Sequence, residues 1–161
     1  SAASDVYKRQ GKDVIMNILY VCTGNTCRSP MAEGITRTLA TELGLDVNVV
    51  SAGLFAAYGA KPTEEAVIAI QSIADISGHE SRPLTMELVN LADLIIGMTQ
   101  DHKSVLLRQF PFEVAKIQTL AEWGHGTGDV VDPFGSNQDV YNQCAEQIYN
   151  LVKAGLVASK E

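Results

Sequence analysis

Residues 16–34 read MNILYVCTGNTCRSPMAEG, and this stretch decides the fold class of the chain. Residues 17–21 form a short, mostly β-favouring apolar run, which predicts a buried strand. Ser29 and Pro30 are typical of the N-cap and the first residue of a helix. That helix should extend to Gly44, since apolar residues recur every four positions at Met31, Ile35, Leu39 and Leu43. A strand, a tight segment and a helix in this order predict the beginning of a βαβ unit.

The rest of the chain continues this alternation of short apolar runs and longer helical patterns. Further strands are predicted at residues 47–51, 94–96 and 116–120. Helices are predicted at residues 63–77, from Thr85 onward, at 99–110 and at 137–156, and a long glycine-containing loop at 121–136. We therefore expect one α/β domain over residues 16–161, with a Rossmann-like twisted sheet of four parallel strands in the order 2-1-3-4 and helices on both faces. Residues 1–15 are small and polar, and we expect a tag, a leader or a disordered tail there.

Charge and cysteine content narrow the classes of function. The chain has 12 basic and 19 acidic residues, and the resulting net charge of -7 has the wrong sign for coating nucleic acid or an anionic membrane. Three cysteines are an odd number in a chain long enough to bury its own core, so a disulfide framework is not expected. No apolar run approaches the roughly 20 residues of a membrane span. We expect a cytoplasmic protein without a nucleic-acid or membrane partner.

The segment between the first predicted strand and helix carries the candidate chemistry. Cys22 ends the strand, and ligands bind at the carboxyl ends of strands in open α/β sheets. A loop that curls here, with Gly24 supplying backbone freedom, would turn its amides and the helix N-terminus toward a tetrahedral dianion. These groups and Arg28 should lower the pKa of the Cys22 thiol and make it a nucleophile. The planar guanidinium of Arg28 would hold two phosphoryl oxygens.

A carboxyl group in the predicted long loop could complete this chemistry. Asp132 lies in the sequence VVDPFG, and Pro133 biases its backbone away from the helical region. Phosphoryl transfer to a cysteine needs a proton for the leaving group and afterwards a base for the attacking water. One carboxyl group can serve both steps, so Cys22, Arg28 and Asp132 are the candidate catalytic residues.

Residues 16–161 as a whole resemble the low-molecular-weight protein phosphatases. VCTGNTCRSPMAE resembles the phosphate-binding signature of that family, SAG at residues 51–53 follows at the expected distance, and VDPFG resembles the family's general-acid loop. The resemblance implies that Cys22 forms a phosphocysteine and that Asp132 acts first as general acid and then as base. It implies a phosphate-binding loop made of Thr23, Gly24, Asn25, Thr26, Cys27, Arg28 and Ser29.

The resemblance also implies supporting roles. Ser29 would donate to the thiolate, and the loop would keep its unusual conformation through a polar network of Asn25, Ser29, Ser51 and His79. From the residues alone, His79 could equally be a histidine of a surface loop. In this family the thiol that matches Cys27 can form a disulfide with the nucleophile, here Cys22, and protect it from deeper oxidation, so inactivation by oxidation is a hypothesis. No metal and no organic cofactor is implied.

Two positions bear on which phosphate the site accepts. Tyrosine phosphatases of this family usually carry a bulky aliphatic residue where Thr26 stands and a tyrosine where Phe134 stands. Both departures resemble the bacterial protein-arginine phosphatase branch, and a smaller polar side chain leaves room and a hydrogen-bonding group beside the phosphorus. We therefore rank phosphoarginine in proteins first and phosphotyrosine second, with inorganic phosphate as product and a monomeric enzyme. The expected specificity residues are Thr26, Leu54, Phe55, Tyr58 and Phe134.

Other functions stay open at this point. Thiol-dependent arsenate reductases share the fold and the loop but relay electrons through further cysteines, whereas Cys144 is solitary, lies far along the last predicted helix and is most simply a core residue. A catalytically silent oxyanion-binding module would bind phosphate without turnover, although the presence of both Cys22 and Asp132 argues against it. A P-loop nucleotide binder is not expected because the motif G-x-x-x-x-G-K-[ST] does not occur. His102 and His125 lack ligand spacing, so no metal site is expected.

Overall fold

Four parallel strands form one sheet in the order β2-β1-β3-β4. The structure is a computed structural model and describes residues 16–160. The strands are β1 (Met16–Cys22), β2 (Val47–Gly53), β3 (Leu94–Gly97) and β4 (Ile117–Thr119). Every neighbouring pair is parallel, so the predicted fold class and strand order are confirmed. The tag, leader or tail predicted for residues 1–15 lies outside the described residues.

Helices connect the strands in chain order. They are α1 (Arg28–Leu43), α2 (Glu64–Ala69), α3 (Met86–Leu91), α4 (Gln100–Gln109), a 3-10 helix (Pro111–Lys116), α5 (Leu120–Trp123) and α6 (Gln138–Lys160). The hydroxyls of Thr63, Thr85 and Thr99 cap α2, α3 and α4, each accepting a hydrogen bond from the amide three residues later. Gly44 ends α1 in the left-handed conformation, with φ of 70°. The predicted starts of these three helices and the predicted end of α1 lie at these same residues.

The central strand β1 separates two apolar cores. Ile18 and Tyr20 belong to the larger core, which α1 and α6 cover with residues such as Met31, Ile35, Ile148 and Val152. Leu19 and Val21 point to the other face and pack with Val89 of α3 and Leu106 of α4. This alternation follows from the two-residue period of a strand that is buried on both faces. The prediction of helices on both faces is confirmed. Within residues 16–160, the helices all lack the apolar length needed to cross a membrane.

Several local predictions about helix boundaries differ from the structure. Ser29 is not an N-cap but lies in the first turn of α1, which begins at Arg28 with no side-chain cap. The predicted helix over residues 63–77 ends at Ala69, because Ile70 and Ile76 both reach the core from positions that one helical face does not present together. The helix α6 extends to Lys160, four residues beyond its predicted end.

The predicted loop over residues 121–136 contains most of a short helix, α5. The Thr119 hydroxyl accepts from the amide of Glu122 at 3.0 Å, and the Glu122 carboxylate accepts from the amide of Thr119 at 2.8 Å. This reciprocal pair is a capping box, whose sequence signal T-x-x-E is present at these positions.

The tryptophan at the end of α5 fastens this region to α6. Trp123 is buried, and Gly155 of α6 leaves the space for its indole, since a Cβ at Gly155 would lie 2.4 Å from Trp123 Cδ2. The chain from residue 124 to residue 137 is called the acid segment here because it contains Asp132. It therefore begins directly after a residue that is held in place by packing.

Candidate active site

The loop of residues 22–28, which we call the phosphate loop, curls between the carboxyl end of β1 and the N-terminus of α1. Its left-handed residue is Asn25, with φ of 58°, and not Gly24, to which the sequence analysis gave the conformational freedom. A Cβ at Gly24 would meet only the Thr26 hydroxyl, at 3.8 Å. The turn is therefore held by the contacts of Asn25 rather than by the flexibility of glycine.

A different glycine lets the phosphate loop sit against the sheet. Gly53, at the end of β2, pairs with Cys22, and a Cβ there would lie 2.5 Å from the Thr23 carbonyl oxygen and 3.1 Å from the Asn25 amide nitrogen. Any side chain at Gly53 would therefore push the loop outward. The sequence motif SAG pointed to this residue, but its spacing alone did not reveal the close approach.

Cys22 lies at the floor of the loop with its sulfur 2.8 Å from the Ser29 hydroxyl. Burial raises the pKa of the Cys22 thiol, while hydrogen bonds from Ser29 and the Asn25 amide and the charge of Arg28 act in the opposite direction. The predicted net lowering of the pKa is therefore wrong, because loss of water disfavours the thiolate by more than these donors favour it. The donors that would stabilise a thiolate are nevertheless all in place.

The predicted polar network is assembled around Asn25. Its side-chain amide donates to the hydroxyls of Ser29 and Ser51, each at 2.9 Å. Its side-chain oxygen accepts from the backbone amide of Arg82 at 3.0 Å, and its backbone carbonyl oxygen accepts from His79 Nε2 at 2.9 Å. Asn25 is fully buried, so three of these bonds satisfy a side chain that would be costly to bury unpaired, and the fourth satisfies its backbone carbonyl. His79 is thus a partner of the loop and not an isolated surface histidine.

Arg28 and Asp132 meet across a cavity of about 230 Å³. The buried Arg28 donates to the carbonyl oxygen of Val130 at 2.9 Å, and its second terminal nitrogen lies 3.7 Å from the Asp132 carboxylate. Asp132 keeps 54% of its side chain exposed and accepts from the amide of Phe134 at 3.1 Å. The cavity is lined by the phosphate loop, Asp132 and Phe134. The three candidate catalytic residues therefore face one space.

A groove of about 440 Å³ shares Thr23, Arg28 and Asp132 with the lining of this cavity. His102 lines the groove and is buried, and its Nε2 forms a 2.9 Å hydrogen bond with the Thr23 hydroxyl. Burial and the charge of Arg28 lower the pKa of His102 to about 4, so the ring is neutral at pH 7. Sequence analysis considered His102 only as a metal ligand. Its contact with Thr23 joins residues 79 positions apart, and no local motif signals it.

The predicted specificity residues are distributed around these two spaces. Thr26 and Phe134 line the cavity, whereas Leu54 and Phe55 line the groove. Phe55 and Phe134 are exposed, which leaves their rings free to contact a substrate. Tyr58 is exposed as well and lines neither of the two spaces.

The remaining cysteines both lie near the cavity as free thiols. Cys27 is part of the phosphate loop, and its sulfur lies 3.4 Å from the Tyr141 hydroxyl. Cys144 is buried, as expected for a core residue, and its sulfur lies 3.9 Å from the carbonyl oxygen of Val131 in the acid segment. Cys144 is therefore closer to the candidate site than its position along α6 suggested. Burial raises its pKa to about 12, which disfavours a thiolate there. Residues 16–160 contain no group of three or more side chains that could hold a metal ion.

Comparison with known proteins gives the family. Residues 17–159 match the model of the low molecular weight phosphotyrosine protein phosphatase family. A protein-arginine-phosphatase of Bacillus subtilis is 45% identical over 139 residues, which cover 86% of this chain and 93% of that protein.

Solved structures agree with this match. A YwlE arginine phosphatase variant with a phosphorylated active-site serine is 42% identical, with a TM-score of 0.86 over 91% of this chain and 97% of that one. A low molecular weight protein tyrosine phosphatase from T. tengcongensis is 40% identical, with a TM-score of 0.84 over 91% of this chain and 99% of that one. The chain therefore belongs to the low molecular weight phosphotyrosine protein phosphatase family.

Proposed function

We propose that the chain is a protein phosphatase that uses Cys22 as nucleophile and acts first of all on phosphoarginine in proteins. One observation carries the proposal: Cys22, Arg28 and Asp132 all line the same cavity. In the first step the thiolate attacks phosphorus, a P–S bond forms, and the P–N bond of phosphoarginine breaks. The arginine side chain leaves with a proton from the carboxyl group of Asp132.

The second step returns the enzyme to its starting state. A water molecule attacks the phosphocysteine, the Asp132 carboxylate takes a proton from that water, and the P–S bond breaks. Inorganic phosphate leaves, and Cys22 is again a thiolate. Arg28 and the loop amides would hold the phosphoryl oxygens throughout, because negative charge spreads over these oxygens in both transition states.

Preference for phosphoarginine rests on the side chains around the cavity. Thr26 lines it with a small, polar side chain, so the space beside the phosphorus is not filled by an aliphatic group. The Asp132 carboxylate at the mouth can also attract the positively charged guanidine as it leaves. Relatives of both specificities are known, since the similar proteins include arginine and tyrosine phosphatases.

Phosphotyrosine is the second candidate substrate. Phe134 lines the cavity and Phe55 the neighbouring groove, and an aromatic substrate ring could stack on either exposed side chain. In that case an oxygen takes the place of the leaving nitrogen, and the roles of Cys22, Arg28 and Asp132 are unchanged.

Reduction of arsenate and silent oxyanion binding are less well supported. A relay of electrons passes through further cysteines; beyond Cys22 and Cys27 the chain has only Cys144, and burial raises the pKa of that thiol, which makes it a poor member of a relay. A silent binding module has no use for a carboxyl group 3.7 Å from the anion-binding arginine. We expect the enzyme to act as a cytoplasmic monomer, with neither metal nor organic cofactor.

The deciding experiment measures phosphate release from paired phosphoarginine and phosphotyrosine peptides of otherwise identical sequence. The buffer contains a thiol reductant and a metal chelator, and Cys22→Ser is the background control. Faster turnover of phosphoarginine supports the proposal, and Thr26→Ile should then shift the preference toward phosphotyrosine. Faster turnover of phosphotyrosine refutes the arginine preference but keeps the mechanism. Hydrolysis of neither peptide above the Cys22→Ser background refutes the phosphatase proposal, and arsenate reduction with a thiol donor would be tested next.

A further inference from the structure

A buried carboxylate lies at the far end of the hydrogen bonds that lead away from Cys22. Glu33, on α1, accepts from the Ser51 hydroxyl at 3.0 Å through one oxygen. Its other oxygen pairs with Arg37 at 2.8 Å, and Arg37 is further held by the carbonyl oxygen of Val49 at 3.1 Å. Glu33 does not line the candidate cavity and therefore has no direct part in phosphate binding.

The chemistry of each group assigns a direction to these bonds. A carboxylate has no proton to donate, so Ser51 must donate its hydroxyl hydrogen to Glu33. The Ser51 oxygen then accepts from the Asn25 amide at 2.9 Å. The second hydrogen of that amide goes to the Ser29 oxygen, also at 2.9 Å. The side-chain amide of Asn25 cannot flip to exchange its oxygen and nitrogen, because its oxygen is held by the backbone amide of Arg82 at 3.0 Å.

The last bond of the chain is thereby determined as well. The Ser29 oxygen accepts from Asn25, and its hydroxyl hydrogen needs an acceptor of its own. Among the side chains of residues 16–160, the acceptor at hydrogen-bond distance is the Cys22 sulfur, 2.8 Å away. A hydroxyl that donates to sulfur favours the thiolate over the thiol. All of these residues are buried, which strengthens each bond relative to one in water.

We propose that Glu33 is a positioning residue: it holds the Ser51 hydroxyl as a donor, so that the Ser51 oxygen, together with the backbone amide of Arg82, keeps Asn25 in the orientation in which Asn25 donates to Ser29 and Ser29 donates to the Cys22 sulfur. The inference rests on the proposed role of Cys22 as nucleophile. It extends that role to a carboxylate that contacts neither substrate nor sulfur. Arg37, whose side chain is largely exposed, holds the second oxygen of Glu33 at 2.8 Å at the surface end of the chain.

The test replaces the carboxylate by an amide of the same shape, Glu33→Gln. A glutamine has one oxygen instead of two, for which Ser51 and Arg37 compete, so the donation from Ser51 weakens. We expect the pH midpoint of Cys22 alkylation by iodoacetamide to lie about 0.5–1 pH unit higher than in the unchanged protein. We expect kcat to fall about three- to tenfold and KM to stay unchanged, because phosphate binding is not touched. Alkylation is read by mass spectrometry of the peptide that contains Cys22 and does not depend on phosphatase activity.

The matched control is Glu113→Gln. Glu113 also pairs with a cation, Lys116 at 3.0 Å, but lies on the 3-10 helix before β4. This variant should leave both the alkylation midpoint and kcat unchanged. Glu33→Asp provides a second test, since it keeps the charge with a shorter reach and should give a smaller change than Glu33→Gln.

The outcomes separate this inference from the proposed function. A folded Glu33→Gln protein whose alkylation midpoint matches that of Glu113→Gln overturns the role of Glu33, whatever the substrate. Failure of both Glu33 variants to fold also overturns it, because Glu33 would then be a structural residue. A shifted midpoint in a chain that hydrolyses neither phosphopeptide supports the role of Glu33 and refutes the phosphatase proposal.

Discussion

The phosphate loop and the acid segment face the same cavity, yet they are held in different ways. Asn25, Ser29 and Arg28 are buried, and each has hydrogen-bond partners inside the protein. On the other side, Asp132 and Phe134 are largely exposed, and the carboxylate accepts a hydrogen bond from the amide two residues later at 3.1 Å and lies 3.7 Å from Arg28. A binding site for a dianion gains from donors that are fixed in advance. A proton donor that must serve a leaving group and then water needs contact with both, and the exposed segment provides it.

The largest effect on activity should come from a substitution of Arg28, on the buried side of the cavity. In Arg28→Lys the charge remains but the planar pair of donors is lost, so two phosphoryl oxygens can no longer be held together. We expect kcat/KM for a phosphopeptide to fall by about 10³-fold. Steady-state kinetics measures this, with Arg108→Lys, an exposed residue in the last turn of α4, as control. Equal kinetics of the two variants would contradict the role of Arg28.

On the exposed side of the cavity, Asp132→Asn removes the proposed proton donor. The amide cannot give a proton to the leaving group, so kcat/KM for a phosphopeptide, which reports the first step, should fall by roughly 10²–10³-fold. The loss should be smaller for p-nitrophenyl phosphate, whose leaving group needs no proton. Comparing the two substrates by phosphate release separates proton donation from binding. Asp139→Asn, at the start of α6, is the control. An equal loss with both substrates would show that Asp132 does not act as the general acid.

The free energy of unfolding should also distinguish the phosphate loop from the acid segment. Asn25→Ala removes three side-chain hydrogen bonds and leaves alanine at a φ of 58°, so we expect a loss of about 2–3 kcal/mol in the free energy of unfolding. Val131→Ala, on the exposed side, should change it by less than about 0.5 kcal/mol. Urea unfolding followed by circular dichroism measures both. Similar losses would mean that the two sides are held equally firmly.

Two histidines allow the phosphate loop and the acid segment to be compared in the pH dependence of stability. The pKa of His102 beside the phosphate loop is lowered to about 4, below its value of 6.5 in the unfolded chain. Between these values the unfolded chain binds the proton and the folded chain does not, so stability falls as the pH falls from 6.5 toward 4. The contribution of His102 to this loss should reach about 2 kcal/mol at pH 5.

The measurement compares His102→Asn with His125→Asn at pH 7 and pH 5. His125 lies exposed in the acid segment with φ of 57°, a conformation that asparagine accepts. The first variant should lose the contribution of His102 to the pH dependence, whereas the second should keep it. If His102→Asn is as sensitive to acid as the unchanged protein, the buried ring is not the source of that sensitivity.

Much of the fold could be predicted because it depends on local patterns. The period of apolar residues in α1, the threonine caps and the alternation of strands and helices leave few arrangements of a parallel sheet. The residues of the candidate site were predicted from the motif, and the structure brings Cys22, Arg28 and Asp132 to one cavity. Their roles stay predictions until the kinetics above are measured.

The features that the sequence did not predict depend on contacts between residues that are far apart along the chain. The pKa of Cys22 is set by a balance of burial against four donors and charges, and a sequence gives their presence but not their relative size. The left-handed position fell on Asn25 because contacts from distant Ser51 and Arg82 stabilise it there. The contact of His102 with Thr23 has the same origin. By contrast, α5 carried a local capping signal and was predictable.

The packing of Trp123 against Gly155 also provides an intrinsic fluorescence probe. The chain has a single tryptophan, so its fluorescence comes from one place. That indole is buried between α5 and α6, at the base from which the acid segment departs. A change in its emission on adding phosphate would register movement of the acid segment without any attached dye. Because a Cβ at Gly155 would lie 2.4 Å from the ring, Gly155→Ala would displace the indole and shift the emission even in the absence of a ligand.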